Sequence, residues 1–322
     1  MPAHSTDDRR YYRDQDSWRE LQEFLPLGYR LREDRVPSEE FWQWRGNAIH
    51  LDRYARPESP VKVVLHHGVG TNGRQLSLIL GAPLAELGFE TVAIDNLGYG
   101  MTTVAARQQP SYTDWVDMVA DFVAAESARD PRPIVLYGLS ASGMLAYHVA
   151  AKGSAVAGVV GMCFLDERIG EVRAKTAASR ASARMIPLTL ALARTPLARL
   201  QVPMRTASKM SALTNNPAAL AVMLADQSSA GNAVTLRFLA SYLTYTPAVE
   251  PEDFDTCPIL LTQPTADRWS PLHLSTLFLD RVTRVDKTVV SLDGAGHYPL
   301  EEPGLRQLLD AVADFAEAVS QP

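Results

Sequence analysis

Several features that mark common classes of protein are scarce or missing from this chain of 322 residues. Only two cysteines occur, Cys163 and Cys257, each inside an apolar run, so the sequence predicts two buried thiols rather than a disulfide or a cysteine-based metal site. The chain has no run of about 18 apolar residues and no apolar signal core near its start, so neither a membrane span nor secretion is predicted. We therefore expect a cytoplasmic protein.

Positively charged residues are also fewer than negatively charged ones. The chain carries 31 Lys and Arg against 37 Asp and Glu, a net charge of -6, which argues against a nucleic-acid partner. The balance reverses locally, because residues 168–209 contain nine Lys and Arg and a single acid, Glu171. We expect a solvated basic helix face here, with attraction of an anionic substrate or of lipid headgroups left open.

Short apolar runs alternate with helix-like segments along most of the chain. Two alternating strands at 41–54 are predicted to form a hairpin with a Gly-Asn turn, and six continuous apolar strands follow at 61–67, 91–95, 133–139, 156–165, 257–263 and 287–292. Continuous apolar strands suit a sheet that is buried on both faces, and strand-helix alternation makes such a sheet mostly parallel. The pattern predicts an α/β fold.

One long segment interrupts this alternation. Residues 168–250 are rich in Ala, Leu, Met and Arg and predict several helices inserted after the sixth strand. We therefore expect an α/β core made of residues 41–167 and 251–322, a helical cap at 168–250 and an N-terminal helical arm at 1–40.

The strongest functional pattern is Gly138-Leu139-Ser140-Ala141-Ser142-Gly143, between a predicted strand and a predicted helix. A sharp strand-to-helix turn strains its central residue and lifts that side chain above the sheet edge. The nucleophile-elbow pattern is Gly-x-Ser-x-Gly, and this chain departs from it because Ser142 replaces the second glycine. Serine is small enough for the turn, so we predict Ser140, rather than Ser142, as a nucleophile.

A serine nucleophile needs a base that is held by an acid. Asp267 lies in the loop after the strand at 257–263, and His297 lies in the loop after the last strand. Both loops leave the carboxyl ends of strands, the edge at which Ser140 also lies. We predict His297 as the base and Asp267 as the orienting acid, with Asp166 as the alternative acid.

Backbone donors for an oxyanion complete the predicted site. One is the N–H of Ala141, directly after the nucleophile, and the other is the N–H of Val69, with Gly70 as the alternative, in the loop after the strand at 61–67. For His66 and His67 we favour a structural role. The same loop matches Gly-x-Gly-x-x-Gly at 68–73, a dinucleotide-binding pattern, but that interpretation leaves Ser140, Asp267 and His297 unexplained.

These motifs together resemble the α/β-hydrolase superfamily. The resemblance rests on His67-Gly68, on Asp95 with Gly98-Tyr99-Gly100, on the segment 138–143, on Asp267-Arg-Trp-Ser-Pro and on Gly296-His297-Tyr-Pro. It is strongest to the capped branch that contains monoacylglycerol lipases and lysophospholipase-like esterases, and it covers roughly residues 45–165 and 255–320. The resemblance implies an eight-stranded sheet, a Ser-His-Asp triad and a helical cap over the cleft.

We therefore expect a serine hydrolase that cleaves carboxylic esters or lactones of apolar small molecules through an acyl-enzyme on Ser140. No metal and no organic cofactor is required by that chemistry. A C–C bond hydrolase of the same fold and a catalytically silent ligand-binding relative stay open as alternatives, because the superfamily hosts many reactions. The sequence does not indicate an oligomeric state.

Overall fold

Eight strands form one sheet in the computed structural model, which describes residues 10–153 and 155–321. The strands are β1 (Ser38–Trp44), β2 (Asn47–Tyr54), β3 (Lys62–His66), β4 (Glu90–Ile94), β5 (Ile134–Gly138), β6 (Gly158–Gly161), β9 (Ile259–Pro264) and β10 (Lys287–Leu292). Their spatial order is β1-β2-β4-β3-β5-β6-β9-β10. Pairs β1/β2 and β2/β4 are antiparallel and the others are parallel. The predicted fold class is confirmed.

The hairpin between β1 and β2 turns one residue earlier than the sequence suggested. Asn47 already pairs with Trp44, so the two turn residues are Arg45 and Gly46, with φ of 45° and 81°. Two consecutive left-handed residues make the turn whose twist matches a two-residue hairpin. Glycine adopts this conformation without strain, whereas Arg45 does so against the usual preference of a side chain.

Helices cover the two faces of the sheet and bury its central strands, whereas the edge strand β10, which the sequence predicted as buried, is mostly exposed because no strand pairs with its outer edge. The helices are α2 (Gly73–Leu76), continued by a π-helical turn (Ser77–Gly81) and α3 (Ala82–Glu86), α4 (Tyr112–Arg129), α5 (Ala141–Ala151), α11 (Leu272–Leu279) and α12 (Gly304–Ser320). Every residue of β3, β4 and β5 is buried. Within the described ranges, no helix combines the length and the apolar character that crossing a bilayer demands.

The segment inserted between β6 and β9 holds five α-helices and one small sheet. The helices are α6 (Gly170–Thr176), α7 (Arg180–Leu192), α8 (Met204–Ala207), α9 (Pro217–Ala225) and α10 (Leu236–Leu243). The sequence suggested helices alone, but β7 (Gln201–Pro203) and β8 (Ala233–Thr235) pair antiparallel. Strands of three residues are too short to show a periodic pattern. We call residues 168–250 the cap segment.

The N-terminal arm is an irregular strap rather than one helix. Its first nine residues lie outside the described part of the chain, and only Ser17–Gln22 (α1) is α-helical, between 3-10 turns at Tyr12–Asp14, Leu27–Tyr29 and Glu33–Arg35. Tyr12, Trp18 and Leu21 are buried against the core. The indole N–H of Trp18 donates to the carbonyl of Tyr12 at 2.8 Å. Burial of large side chains therefore holds this strap in place.

Candidate active site

Ser140 lies at the turn between β5 and α5 in a backbone conformation that is rare for a side chain. Its φ and ψ are 58° and -125°. The turn is tight because a Cβ atom on Gly138 would lie 1.8 Å from the carbonyl oxygen of Ser142, and one on Gly143 would lie 1.9 Å from the carbonyl oxygen of Cys163. Glycine at both positions lets β5, β6 and α5 approach closely enough to hold the strained turn.

Ser142 has a structural role in the same turn. It is fully buried, and its hydroxyl donates to the carbonyl of His67 at 2.5 Å. The His67 ring is itself fixed by the backbone, since its Nδ1 lies 2.8 Å from the carbonyl of Gly68 and its Nε2 accepts from the N–H of Asn96 at 2.9 Å. The extra hydroxyl in the elbow thus ties α5 to the loop after β3.

His297 and Asp267 are in direct contact. Nδ1 of His297 lies 2.8 Å from Oδ2 of Asp267. Asp267 also accepts from the backbone N–H groups of Trp269 and Ser270 at 2.6 and 3.0 Å, and from the Ser270 hydroxyl at 2.6 Å. The Trp269 ring covers the imidazole with 4.6 Å between centroids. These contacts fix the orientation of the imidazole.

The charge on Asp267 is stabilised in place. Burial alone would raise the pKa of Asp267, but the neighbouring His297 and the hydrogen bonds from Ser270 outweigh burial and hold the pKa well below its usual range. Among the described residues, Nε2 of His297 is buried and has no hydrogen-bond partner. An imidazole held at Nδ1 by a carboxylate and free at Nε2 is arranged to take up a proton.

Asp166, the alternative acid, has a different partner. Both of its carboxylate oxygens bind the guanidinium of Arg168, at 2.9 and 2.7 Å, and Arg168 in turn contacts Glu250 at 2.7 Å. The structure therefore brings Asp267, and not Asp166, against His297.

Ser140, Ala141 and Val69 line one cavity. No hydrogen bond is made by the N–H of Val69 or of Ala141 within the part of the chain that the structure describes. A Cβ atom on Gly68 would lie 2.8 Å from Cβ of Ser140, so the loop after β3 passes directly beside the serine. A Cβ atom on Gly70, the alternative donor, would lie 3.1 Å from the side chain of Leu213.

Asp95 ties the loops of this edge together. Its carboxylate accepts from the N–H of Gly73 at 2.7 Å, from the N–H of Met101 at 2.8 Å and from the hydroxyl of Tyr12 at 2.9 Å. Gly73 begins α2 at the end of the loop that carries Val69, so the N-terminal arm and the turn after β4 both brace that loop. A Cβ atom on Gly100 would lie 2.0 Å from this carboxylate, which explains the glycine there.

A buried histidine balances the charge of Asp95. Nδ1 of His50 lies 3.0 Å from Asp95, and its Nε2 lies 3.0 Å from Glu39. Burial by itself would lower the pKa of His50, but these two carboxylates outweigh burial and raise the pKa to about 10. Glu39, His50 and Asp52 are close enough to share a metal ion, yet Arg74 binds Asp52 through two hydrogen bonds of 2.6 and 2.9 Å. The acids are thus already paired with cations.

The cavity beside Ser140 has a volume of about 240 Å³ and lies between the sheet edge and the cap segment. Its apolar lining comes from Leu165, Met185, Ile186, Phe238, Leu239 and Trp269. Its polar lining includes Glu167, Arg173, Thr176 and Tyr242. An apolar cavity with a few polar groups next to a serine is the usual form of a small-molecule site.

Three residues of the site were not predicted from the sequence. Trp269 and Ser270 follow Asp267 within three positions, and Glu167 follows Asp166 in the segment after β6. Their position after parallel strands could have indicated a role in the site, because side chains there face the crevice at the carboxyl ends of the strands. Their contacts depend on how the loops fold, which the sequence pattern does not encode.

Comparisons with known proteins identify the family of this chain. The model of the family described as serine aminopeptidase, S33, matches residues 57–304, which is most of the chain. A mouse protein named protein phosphatase methylesterase 1 is 30% identical over 109 residues, and this match covers 34% of the chain and 28% of the mouse protein. The chain therefore aligns with little more than a quarter of that relative's length.

Solved structures show the same fold. A soluble variant of a monoglyceride lipase from Saccharomyces cerevisiae superposes with a TM-score of 0.71 at 16% identity, covering 89% of this chain and 97% of that one. A carboxyl esterase from Bacillus coagulans gives a TM-score of 0.69 at 14% identity, covering 88% and 99%. The expected resemblance is confirmed, and the chain belongs to the serine aminopeptidase S33 family of α/β-hydrolases.

Proposed function

We propose that this protein is a serine hydrolase that cleaves carboxylic esters or lactones of apolar small molecules. One observation carries the proposal: a strained serine, Ser140, borders an apolar cavity whose wall includes Trp269, the residue that packs on the His297–Asp267 pair. That combination supplies a nucleophile, a base and an apolar cavity that excludes water from around the substrate.

In the first half of the reaction, Oγ of Ser140 attacks the carbonyl carbon while Nε2 of His297 takes the hydroxyl proton. Asp267 holds the imidazole through Nδ1 and stabilises its charged form without taking the proton. The N–H groups of Ala141 and Val69 donate to the oxygen that becomes negative. Within the described ranges neither N–H group has another hydrogen-bond partner to give up, and loss of one such donor typically costs about 10²–10³ in rate.

In the second half, the imidazolium of His297 delivers its proton to the leaving alcohol, and the acyl group stays on Ser140. Water then attacks the acyl-enzyme with His297 as base, and the acid leaves. The Asp267–His297 contact of 2.8 Å serves both halves, since the same nitrogen takes up and releases each proton.

The cavity favours a small or medium apolar group. Its volume of about 240 Å³ lies just below the range of about 300–1,000 Å³ typical of ligand pockets. Met185 and Met204 contribute flexible side chains that adapt to irregular apolar ligands. We propose that the cap segment forms the binding wall for the acyl group.

Other chemistries fit the fold less directly. A C–C bond hydrolase would use the same serine and histidine, a peptidase would match the description of the family, and a silent relative would only bind a ligand. An ester or lactone is the least demanding substrate for Ser140, because its alcohol is a better leaving group than an amine or a carbanion.

Labelling with a fluorophosphonate probe tests the nucleophile. Wild type should be labelled, Ser140→Ala should not, and Ser142→Ala serves as the matched control because that hydroxyl is buried and bonded to His67. A panel of p-nitrophenyl esters, lactones, an aminoacyl p-nitroanilide and a vinylogous diketone then ranks ester, amide and C–C cleavage. Labelling that persists in Ser140→Ala, or cleavage of the anilide alone, would overturn the proposal.

A further inference from the structure

Glu167 is a buried acid in the wall of the same cavity that Ser140 lines. It is 5% exposed and follows β6 at the edge of the sheet. No Lys, Arg or His forms an ion pair with it within the described ranges, although Arg173 lines the same cavity. A buried carboxylate without a cation is costly, so the protonated, neutral form is favoured here.

The hydrogen bonds of Glu167 are long, so its proton can leave them for a shorter hydrogen bond to a ligand. The hydroxyl of Thr176 lies 3.3 Å from Oε2 of Glu167 but 3.0 Å from the carbonyl of Val172. A hydroxyl has one proton, and the shorter contact with Val172 takes it. The remaining contact, from the hydroxyl of Tyr242 to Oε1, is 3.5 Å long. The carboxyl group of Glu167 can therefore form a further hydrogen bond with a ligand in the cavity.

Among the described side chains around it, Glu167 is the one whose pKa burial brings close to neutral. Burial raises the pKa of Glu167 to about 7, while burial lowers the pKa of His148 to about 3 and raises the pKa of Tyr112 and of Tyr242 well above 10. The titratable and charged side chains around it are Asp166, Arg173, Tyr112, His148, Tyr242 and Tyr245. The guanidinium of Arg168 keeps the pKa of Asp166 below its usual range, so a change between pH 6 and pH 8 reports Glu167.

We propose that Glu167 donates a hydrogen bond to a second carbonyl oxygen of the substrate, so that the preferred substrates are esters or lactones whose acyl part carries a keto group. This rests on the proposed function, in which the acyl part enters the cap segment. A ketone oxygen accepts only, as a protonated acid requires. A substrate ammonium group is disfavoured because Arg173 lines the same cavity and would repel a second positive charge.

The test compares matched esters on one enzyme, so that titration of the catalytic histidine cancels. The substrates are p-nitrophenyl octanoate and its oxo derivatives with the ketone at carbons 4 to 7, beside the corresponding hydroxy and amino esters. For one ketone position we expect kcat/KM at pH 6 to exceed that of the parent by about fivefold, the gain from a neutral hydrogen bond. At pH 8, where Glu167 has mostly lost its proton, the ratio should fall towards one.

Variants identify the donor. Glu167→Gln keeps an N–H donor at every pH, so its keto preference should persist and become independent of pH. Glu167→Leu should lose the preference, and Glu171→Gln, which alters an exposed acid on α6, should behave as wild type. Fluorophosphonate labelling of each variant checks that Ser140 is still correctly placed.

Three results would overturn this inference: equal rates for keto and parent esters at pH 6, a keto preference that survives in Glu167→Leu, or a preference for the hydroxy ester that grows with pH. Labelling of Ser140 together with any of them leaves the proposed hydrolase intact. If no ester is cleaved, the proposed function fails, and the subsite is tested by thermal unfolding with 2-heptanone against its isostere 2-methyl-1-heptene. Equal protection by the two compounds would overturn it.

Discussion

Replacing Asp267 by asparagine should change which nitrogen of His297 carries the proton. Oδ1 of Asp267 accepts from two backbone N–H groups, those of Trp269 and Ser270, so the carbonyl oxygen of the new amide must occupy that position. The amide nitrogen then replaces Oδ2, at 2.8 Å from Nδ1 of His297. An N–H donor there forces Nδ1 to accept, which places the imidazole proton on Nε2.

An imidazole that is already protonated at Nε2 cannot take the proton of Ser140. The variant also loses the negative charge that stabilises the imidazolium as it forms. The same change in a serine protease triad lowers kcat by about 10⁴, which corresponds to about 5 kcal/mol of barrier. We expect a similar loss in steady-state hydrolysis of a p-nitrophenyl ester, with little change in KM, because Asp267 does not line the cavity.

Two controls decide whether this reasoning is sound. Ser270→Ala removes one hydrogen bond to Asp267 but keeps its charge, so kcat should fall only about tenfold. Asp166→Asn weakens the contact with Arg168 and should leave kcat within about tenfold of wild type. The assignment is refuted if Asp267→Asn keeps more than about a tenth of the wild-type rate while Asp166→Asn loses about 10³-fold, with both variants folded by circular dichroism.

Three further predictions concern stability. Gly143→Ala would put a Cβ atom 1.9 Å from the carbonyl oxygen of Cys163, so urea unfolding should show a loss of about 3 kcal/mol or more; an unchanged midpoint would contradict the close packing of the elbow. The two neighbouring carboxylates raise the pKa of His50 in the folded state from 6.5 to about 10. As the pH rises through that range, the unfolding free energy of wild type should therefore fall by about 1.4 kcal/mol per pH unit relative to His50→Gln. A difference between the two proteins that stays constant from pH 6.5 to 10 would refute the ion-paired state. Tyr12→Phe removes the hydroxyl bound to Asp95 and should lower the unfolding free energy by about 1.5–3 kcal/mol in thermal or urea melts. An unchanged unfolding free energy would show that the N-terminal arm does not bind Asp95 in solution.

The backbone plan was predictable because it depends on local patterns. Continuous apolar runs such as Val61–His67 mark strands that are buried on both faces, and the sheet contains each of the eight strands expected from such runs and from the hairpin. The order of Ser140, Asp267 and His297, each after a strand, likewise predicts that all three lie at one edge of the sheet. That argument needs only strand direction, which the strand-helix alternation supplies.

Contacts that depend on loop conformation could not be predicted from the sequence. Nothing in the pattern shows that Ser270 reaches back to Asp267, that Trp269 covers His297, or that Glu167 faces the cavity. Each contact requires a turn whose path is set by tertiary packing. The sequence does not show which of the neighbouring acids Asp166 and Glu167 faces the cavity, and in the structure Asp166 binds Arg168 instead. The buried charges around His50 were missed for the same reason, because their partners come from distant segments.

The departure of the elbow from its usual pattern follows from which backbones crowd it. At position 142 the side chain points to a carbonyl of the loop after β3, and a serine hydroxyl fits because it can donate to His67 at 2.5 Å. At position 143 no side chain fits, because the carbonyl of Cys163 approaches the place where Cβ would be. The elbow thus needs glycine where the backbone that follows β6 comes closest, and in this chain that position lies one residue later than in the usual pattern. Since Ser140 keeps φ of 58° with serine at position 142, the strained turn depends on the close approach of the backbone after β6 and not on a glycine at position 142.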